Sequence, residues 1–516
     1  MGNATPTRLA KTTLLAALLL LLSACVSVPF DYPKTQSSAQ PADPQTLIGR
    51  SVSQWQQENP GKSGFIGLSN GTDALGARLR LIAGAEKSID AQYFILKRDR
   101  ASSLFVGKML RAADRGVKVR LLIDDIFSPN LDRPLTLLDL HPNIEVRLFN
   151  PMSRQSFKYW SYLWTFERAN RRMHNKSFTV DSGMSIVGGR NIGEEYFQLK
   201  DSVIFEDYEV LALGPVVDQI NDGFDAFWNN ELAVPIEAFN IRVDPAELDE
   251  WRDFIDKKAD ESENGIYAQA VNSTLLKNIR EGKVVPVAAN AEMVTDTPDK
   301  LLGPVGDRET ATLAVEIAQR IRETDTELLI VTPYFIPQKS GAELVEKLLA
   351  RGVRVIVVTN SLAATNHVAV HSGYARYRKR LLQAGAEIYE TRADFIGKDT
   401  DWGHKPEGVT LHSKASAFDR DTIFIGSLNF DPRSFLLNSE MGLFIEDPSI
   451  GEGFAERLLA GLPRVTYRVD LDKKGELRWT YDYDGEREVL HSEPQASWGR
   501  RFMVRFYGLL PIEGQL

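Results

Sequence analysis

RRMHNKSFTVDSGMSIVGGRN, residues 171–191, contains His and Lys two positions apart, followed by Asp, a glycine-rich turn and Asn. LHSKASAFDRDTIFIGSLN, residues 411–429, repeats that order at the same internal spacing, 238 residues further along the chain. The repeated residues are His174, Lys176, Asp181 and Asn191 in the first motif, and His412, Lys414, Asp419 and Asn429 in the second. A single His-x-Lys pair is common in proteins, but two copies with matching turns indicate a duplicated functional unit.

The segments that precede the two motifs also follow one order. In the first part, the strand pattern KSIDAQYFI (87–95) is followed by a helical pattern and the buried strand VKVRLLIDD (117–125). In the second, TELLIVTPYFIP (326–337) is followed by a helical pattern and VRVIVVTN (353–360). Strands that alternate with helices predict crossover connections and a mostly parallel sheet. The sequence therefore predicts an α/β fold of two similar tandem halves, related by pseudo-twofold symmetry.

A chain of 516 residues is too long for one ordinary core, which agrees with two halves. We predict six regions: a signal peptide at 1–25, a Pro/Ser-rich tether at 26–60, a first half at 61–232, an inter-half connection with helical pieces at 233–310, a second half at 311–462, and C-terminal strands with an amphipathic helix at 463–516. The net charge of −9 disfavours a nucleic-acid partner, which would usually meet a basic face.

Alternation along HNKSFTV and HSKASAF places His and Lys of each motif on one face of a strand. Two such strands that face each other across the pseudo-twofold axis would surround a small anion, so one active site shared by both halves would explain the duplication. Lysine suits phosphate because it offers a mobile point charge. Asn191, Asn429 and the Ser427 hydroxyl would contact the other phosphoryl oxygens, and Gly189 stands at the position of Ser427 in the first half.

The two histidines suit a divided reaction at phosphorus. A neutral imidazole can attack and form a phosphohistidine, while the opposite imidazolium protonates the leaving alkoxide. Acid–base help of this kind contributes about 10²–10⁴-fold. These residue types leave open which histidine has which role. We expect no metal and no cofactor, since the sequence offers no obvious carboxylate cluster to hold a metal.

A histidine nucleophile needs an acceptor for its second ring nitrogen. The motif residues Asp181 and Asp419 belong to the catalytic signature but lie at the far ends of their strands, where we expect structural ion pairs. Better candidates are Asp207 in FEDYEVLAL and Glu440 in LNSEMGLFI, because each precedes an apolar strand that would run beside a motif strand. Taken half by half, Asp207 would orient the first motif's histidine and Glu440 the second's.

The chain has one cysteine, Cys25, which follows the short apolar run TTLLAALLLLLSA. The run is short for a transmembrane span and has the parts of an export signal. The approach LSAC is similar to a bacterial lipobox, so Cys25 would be lipid-modified and would anchor the protein to a membrane on the periplasmic side. An uncleaved signal anchor is the alternative. Either reading places the globular part outside the cytoplasm, and the choice between inner and outer membrane stays open.

HNKSFTVD with GGRN, and HSKASAFD with GSLN, resemble the two HKD motifs of the phospholipase D superfamily. With AQYFI, TNHVAVHSGYARYRK and NFDPRS, nearly the whole mature chain is most similar to bacterial cardiolipin synthases of the C type. The resemblance implies transfer of a phosphatidyl group from phosphatidylglycerol, or from another phospholipid such as phosphatidylethanolamine, to the hydroxyl of a second lipid. It also implies that His174 is the nucleophile and His412 the acid and base.

Other functions share parts of this pattern. A phospholipase D would resolve the same phosphohistidine with water, a nuclease would need a basic groove, and a non-catalytic lipid-binding lipoprotein would not need two complete motifs. The aromatic stretch FKYWSYLWTFERANRR (157–172) would either dip among lipid headgroups or pack as a lid. The tail SWGRRFMVRFYGLLP (497–511) would either lie on a membrane or dock on the protein.

Overall fold

The computed structural model describes residues 28–127, 130–154, 162, 165–200, 202–261, 265–395 and 407–516. The predicted signal peptide, Cys25 and residues 157–161 and 163–164 of the aromatic stretch 157–172 lie outside the described residues. The strands are β1 Ser63–Leu68, β2 Ser88–Tyr93, β3 Lys118–Asp124, β4 Ile144–Phe149, β5 Ser177–Val180, β6 Met184–Gly188, β7 Val203–Glu206, β8 Glu209–Leu213, β9 Ala233–Pro235, β10 Val287–Thr295, β11 Glu327–Val331, β12 Arg354–Asn360, β13 Glu387–Thr391, β14 Gly408–Leu411, β15 Ala415–Phe418, β16 Thr422–Gly426, β17 Met441–Glu446, β18 Thr466–Leu471, β19 Leu477–Tyr483 and β20 Glu486–Leu490. The α-helices are α1 Leu47–Glu58, α2 Gly71–Gly84, α3 Arg100–Asp114, α4 Asp132–Asp139, α5 Phe166–Ala169, α6 Val216–Trp228, α7 Ala246–Glu261, α8 Ile266–Val271, α9 Thr274–Arg280, α10 Thr312–Glu323, α11 Gln338–Ala350, α12 Val368–Ala384, α13 Pro432–Leu436, α14 Pro448–Val465 and α15 Trp498–Gly508.

An 18-stranded sheet runs through both halves. Its order is β9-β4-β3-β2-β5-β6-β8-β1-β10-β17-β16-β15-β11-β12-β13-β18-β19-β20. The part of the sheet from β4 to β1 and the part from β13 to β10 contain equivalent strands in mirrored order. The two parts meet where β1 pairs with β10. This arrangement confirms the predicted α/β fold of two tandem halves with pseudo-twofold symmetry.

The prediction of a mostly parallel sheet is wrong. Each half pairs three strands in parallel, β2-β3-β4 and β11-β12-β13, and its motif hairpin is antiparallel. The hairpins turn at residues 181–183 and 419–421, where Asp181 and Asp419 have φ of 49° and 52°. Crossover helices impose parallel pairing, whereas a tight turn imposes antiparallel pairing on the strands that it joins. The glycine-rich segments after each motif are therefore the second strands of hairpins.

Side chains from both halves share one hydrophobic cluster at the centre of the molecule. Phe65 and Val187 of the first half pack there with Ile425 and Leu443 of the second. Each half also has a hydrophobic cluster of its own between the sheet and the helices. The cluster of the first half includes Phe105, and that of the second half includes Phe335. The two halves are thus joined by sheet pairing and by a common core, which fixes their motifs relative to each other.

Residues 28–46 are packed on the first half, which corrects the prediction of a free tether. The Ser37 carbonyl accepts from Arg120 Nη1 at 2.9 Å, and the Ala39 N–H donates to Asp225 at 2.8 Å. Lys34 donates to the Ala233 carbonyl at 2.8 Å, and α1 follows directly. Within residues 28–46 this Pro/Ser-rich segment forms no strand, and side chains of Arg120, Asp225 and Asn229 satisfy backbone groups along it.

Residues 233–310, predicted as a connection with helical pieces, contain α7, α8 and α9 and also strand β10. β10 pairs with β17 over six positions and holds in the second half the place that β1 holds in the first. At the other end of the chain, β18 to β20 extend the second half's sheet. Within the part of the chain described, no helix combines the length and apolar character needed to cross a bilayer.

Candidate active site

The residues that lead into the first motif strand, β5, pair with backbone groups of the second half. Met173 forms a parallel bridge with Ser439. The His174 N–H donates to the Ser439 carbonyl at 3.0 Å, and the Ser439 N–H donates to the Arg172 carbonyl at 3.0 Å. Since Ser439 immediately precedes Glu440, this pairing places the acid of the second half beside the histidine of the first.

The second motif is held in the reciprocal way. β14 runs parallel to β7 in a separate two-stranded sheet, with Leu411 opposite Glu206. The His412 N–H then donates to the Glu206 carbonyl at 2.7 Å. Since Asp207 follows Glu206, the acid of the first half reaches the histidine of the second.

The two acids predicted to orient the histidines therefore do contact them, but each contacts the histidine of the other half. His174 Nδ1 lies 2.8 Å from Glu440 Oε2, and His412 Nδ1 lies 2.6 Å from Asp207 Oδ2. The prediction that each acid orients the histidine of its own half is wrong. The reason is the pair of bridges between halves, which depend on tertiary packing and leave no trace in local sequence spacing.

The motif lysines are completely buried beside the histidines. Each Nζ donates to the carbonyl oxygen of its own motif histidine, and Lys414 Nζ lies 3.2 Å from His412 Nδ1. Burial lowers the pKa of Lys176 to about 7 and that of Lys414 to about 8, although the charges of Glu440 and Asp207 oppose this shift. The charged forms of the two lysines thus carry a considerable desolvation cost, which an anionic ligand would offset.

Charge interactions connect the two motifs. Burial lowers the pKa of His174 well below its usual range, and both Lys176 and Lys414 lower it further. Burial and the two lysines also lower the pKa of His412, to about 3, but here Asp207 works in the opposite direction through its charge and its hydrogen bond. The lysine of each half acts on the histidine of the other, so both motifs belong to one cluster.

The two acids differ in protonation. Burial raises the pKa of Glu440 to about 7, against the opposing effects of Lys176 and the Ser427 hydroxyl. Burial acts in the same direction on Asp207, but His412 and nearby cations outweigh it and hold the pKa of Asp207 below its ordinary value. At neutral pH Asp207 is therefore ionised, whereas Glu440 stands near its titration midpoint.

One pair of equivalent residues, Ser427 in the second half and Gly189 in the first, explains part of the difference between Glu440 and Asp207. Ser427 Oγ donates to Glu440 Oε2 and accepts from the Met441 N–H at 3.0 Å. The hydroxyl proton that was predicted to contact phosphate is thus given to the acid. At Gly189, a Cβ atom would lie 2.4 Å from Asp207 Oδ1. The first half needs glycine here because the shorter acid side chain lies close to the backbone.

The two motif asparagines also differ. Asn191 Oδ1 accepts from the Ile95 N–H at 3.0 Å and so ties the motif turn to the end of β2. Asn429 Oδ1 is buried and has no hydrogen-bond partner among the described residues. Asn191 is thus partly committed to the scaffold, while the Asn429 amide keeps polar capacity inside the site. Contact of either amide with phosphate stays a prediction.

Asp181 and Asp419 lie at the opposite ends of the motif strands from the histidines. Asp181 accepts from the backbone N–H groups of residues 86–88 at 2.7–3.0 Å, and Asp419 accepts from those of residues 325–327 at 2.6–3.1 Å. In place of the expected ion pairs, the described residues around them supply three successive amide donors. Both aspartates hold the start of a central strand, β2 or β11, and do not reach the reacting groups.

Aromatic rings that the sequence did not single out confine the imidazoles. Phe94 meets His174 edge to face, with ring centroids 4.8 Å apart. His412 stacks on Phe205 at 5.2 Å and meets Tyr196 edge to face at 5.3 Å. AQYFI at the end of β2 carried a recognisable signal for Phe94, whereas Phe205 lies in the four-residue strand β7 and Tyr196 in a turn, where no periodic pattern marked them.

Asp296 positions Glu440 through the backbone and was also missed from the sequence. Asp296 Oδ2 accepts from the Glu440 N–H at 3.0 Å, and its own N–H donates to the Glu440 carbonyl at 2.9 Å. Lys300 Nζ lies 2.7 Å from Asp296 Oδ2. Asp296 directly follows β10, a strand inside the predicted connection, so no sequence pattern marked Asp296 as part of the site.

Comparison with known proteins bears on this arrangement. Residues 79–228 and 317–459 match the family described as "Cardiolipin synthase, PLD-like domain". Cardiolipin synthase C of Escherichia coli K12 is 36% identical over 88% of this chain and 97% of that protein. An uncharacterized protein of Helicobacter pylori strain 26695 is 32% identical over 83% of this chain and 85% of its own length.

Among solved structures, phosphatidylserine synthase of Haemophilus influenzae superposes with a TM-score of 0.57. The superposition covers 90% of this chain and 100% of that protein at 14% sequence identity, which indicates a shared fold. The family match in both halves and the relative that spans most of the chain lead to one conclusion: the chain belongs to the cardiolipin synthase family with the phospholipase D-like domain.

Proposed function

We propose that the protein transfers a phosphatidyl group from one phospholipid to a hydroxyl of a second, and so makes cardiolipin through a phosphohistidine. The single observation that carries this proposal is the crossed pair of His–carboxylate contacts around two buried lysines. The family relation supports a lipid substrate over other phosphodiesters. Phosphatidylglycerol is the proposed donor and acceptor, with phosphatidylethanolamine as a second donor.

In the first step His174 is the nucleophile. Donation of its Nδ1 proton to Glu440 leaves a lone pair on Nε2. Nε2 forms a bond to phosphorus while the bond to the headgroup oxygen breaks, and His412 gives its proton to that oxygen. The headgroup alcohol leaves, and the phosphatidyl group stays on His174.

In the second step the acceptor lipid enters. Neutral His412 takes the proton of its hydroxyl, the hydroxyl oxygen bonds to phosphorus, and the P–N bond to His174 breaks. Both imidazoles then return to their starting protonation. Water in place of the acceptor would give phosphatidic acid, which is the phospholipase D outcome.

The surroundings of the two imidazoles support this division of roles. Burial and the two lysines lower the pKa of both imidazoles, and at His412 the charge and hydrogen bond of Asp207 oppose this shift. Binding of a phosphodiester anion between the lysines would raise the pKa of His412, the direction that the proposed role as an acid requires. Lys176 and Lys414 would stabilise the charge that grows on the phosphoryl oxygens as phosphorus becomes five-coordinate.

We also propose that Cys25 carries a lipid anchor and that the enzyme faces the periplasm. Phe30 lies under the Arg168 guanidinium, 5.1 Å from its carbon, beside the segment that leads into the first motif. Phe30 is five positions after Cys25, so the two residues lie at most about 17 Å apart. An anchor at Cys25 would thus hold the active-site side of the body close to the membrane.

Purified full-length protein and labelled phosphatidylglycerol in mixed vesicles test this function. We expect labelled cardiolipin and released glycerol, and a higher yield when phosphatidylethanolamine is added. His491 is exposed and outside the site, so His491→Ala is the matched control for His174→Ala. Phosphatidic acid as the only labelled product would overturn transfer in favour of hydrolysis.

A further inference from the structure

The C-terminal helix α15 carries an apolar stripe on its outer face. Trp498, Phe502, Phe506 and Leu509 are 78%, 53%, 45% and 85% exposed. Their spacing of four, four and three residues places all of them on one side of a helix. Trp498 stacks on Phe502 with ring centroids 5.6 Å apart. We call these four residues the outer stripe.

The opposite face of α15 is fixed to the body of the protein. Arg501 donates to the Glu493 carbonyl at 2.8 Å, and Arg500 donates to the Thr365 carbonyl. Beyond the helix, Arg376 Nη1 lies 3.0 Å from Glu513. The outer stripe is thus presented by an anchored helix, and its exposure is not the fraying of a loose chain end.

After α15, the chain continues to residues that lie close to the first motif. Asn170 donates to Gln515 Oε1 at 2.7 Å, and the Arg433 N–H donates to the Leu516 carbonyl at 3.0 Å. The Arg433 side chain donates to the Asn170 carbonyl at 2.8 Å, and its charge contributes to the lowered pKa of His174. Six residues therefore connect the outer stripe to groups that surround the first motif.

We propose that the outer stripe inserts into the interface of an anionic phospholipid bilayer and turns the side of the molecule that carries the first motif toward that surface. Trp, Phe and Leu are the side chains that interfacial helices bury at the boundary between headgroups and acyl chains. Arg505 is exposed on the same face and would meet lipid phosphates. A second copy of the chain would bring two such arginines together without a counter-charge, which favours the bilayer as occupant.

The proposal rests on the proposed function for its substrate but can be tested without turnover. Cys25 is the only cysteine, so Cys25→Ser with Phe502→Cys gives one attachment point for an environment-sensitive fluorophore. Cys25→Ser with Val285→Cys is the matched control, because Val285 is 65% exposed and far from α15 in sequence. Vesicles contain phosphatidylcholine and phosphatidylglycerol, with or without nitroxide-labelled lipid.

We expect vesicles to shift the emission at position 502 to the blue and nitroxide lipid to quench it, with no change at position 285. Equal responses at both positions would overturn the proposal. A shift without vesicles that grows with protein concentration would also overturn it, since the outer stripe would then join two copies of the chain.

Turnover adds a second readout. The triple variant Trp498→Ala, Phe502→Ala, Leu509→Ala should act at least about tenfold more slowly on vesicles, since three buried apolar contacts are lost. It should keep its rate on monomeric short-chain phosphatidylglycerol. The control variant Leu47→Ala, Val285→Ala, Val305→Ala removes exposed apolar side chains elsewhere and should keep both rates.

The outcomes separate the two proposals. If the triple variant loses rate equally on vesicles and on monomeric phosphatidylglycerol, or loses rate on neither, docking by the outer stripe is overturned. If the unaltered protein turns over neither substrate, the proposed function fails, while the fluorophore still decides whether the stripe enters the bilayer.

Discussion

The His174 and His412 half-sites follow the same chain path but differ in the groups around each imidazole. His174 contacts Glu440, which takes a second hydrogen bond from Ser427. His412 contacts Asp207, which lies against a glycine where the other half has serine. The two halves thus place similar backbones around different side chains, and these side chains give the two acids different pKa shifts.

The difference concerns where a proton is held. The pKa of Glu440 is raised to about 7 and that of Asp207 is lowered, so a full negative charge stands behind His412 at neutral pH. A carboxylate behind an imidazole stabilises the imidazolium form. This difference in charge behind the two imidazoles agrees with the proposed roles, in which His174 attacks and His412 transfers the proton.

The largest expected effects come from the imidazoles. His412→Ala should slow turnover of phosphatidylglycerol by about 10²–10⁴-fold, because the leaving alkoxide loses its acid. A nitrophenyl phosphodiester should restore release of the leaving group in this variant, since nitrophenolate needs no proton. His174→Ala should be inactive with both substrates, because no covalent bond to phosphorus can form. Stopped-flow absorbance measures the release, and rescue of His174→Ala by the activated substrate would reverse the assigned roles.

The acids provide the next comparison. Asp207→Asn should lower kcat/KM at pH 7 more than Glu440→Gln does, by about 10²-fold against about tenfold, because Asp207 is the ionised partner. Steady-state rates with phosphatidylglycerol vesicles measure both variants.

Gly189→Ala is a further check on the Asp207 contact, because its Cβ would press on the carboxylate from 2.4 Å. It should reproduce most of the Asp207→Asn loss while the protein still folds, as circular dichroism would show. An equal loss for Asp207→Asn and Glu440→Gln would remove the distinction between the half-sites.

Ser427→Ala should have a smaller, pH-dependent effect. The hydroxyl favours the ionised form of Glu440, so its removal raises the pKa of Glu440 above its present value of about 7. Activity that depends on the carboxylate is lost as pH falls through that pKa, so the acid limb of kcat/KM should move to higher pH. The rate at pH 8.5 should stay within a few-fold of the unaltered protein. An unmoved acid limb would show that Glu440 does not control it.

The motif aspartates should affect stability and leave chemistry intact. Asp181→Asn removes a charged acceptor from three backbone amides and should cost about 1–3 kcal/mol, while the more exposed Asp419→Asn should cost less. The pKa of Asp419 is lowered, so its contribution is present above the ordinary Asp pKa and is lost as pH falls through the lowered value. Thermal unfolding of both variants at pH 7, and at pH values down to about 2, below the ordinary Asp pKa, measures these effects. A large fall in kcat with unchanged stability would place these aspartates in the reaction.

The sequence predicted the duplication, the shared site and all four groups of the two His–acid pairs. It could do so because the histidines lie in the repeated motifs and the two acids lie just before apolar strand patterns. It could not predict that Glu440 serves His174, since this depends on the bridge between Met173 and Ser439. Local spacing favours partners within one half, and only packing of the halves decides otherwise.

The packed segment 28–46 and the strand β10 were missed for a related reason. Pro/Ser-rich composition is typical of a linker, but Arg120 and neighbouring side chains hold this one in place. β10 lies among charged helices and gains its strand character from pairing with β17. Elements whose stability comes from distant partners carry weak local signals.

Isolation of the covalent intermediate tests the central claim most directly. Protein is mixed with phosphatidylglycerol labelled at phosphorus, quenched in base within milliseconds, digested and mapped by mass spectrometry. The account predicts label on the peptide with His174, more of it in His412→Ala supplied with the activated substrate, and none in His174→Ala. Label on the peptide with His412, or turnover that continues without any labelled histidine, would contradict it.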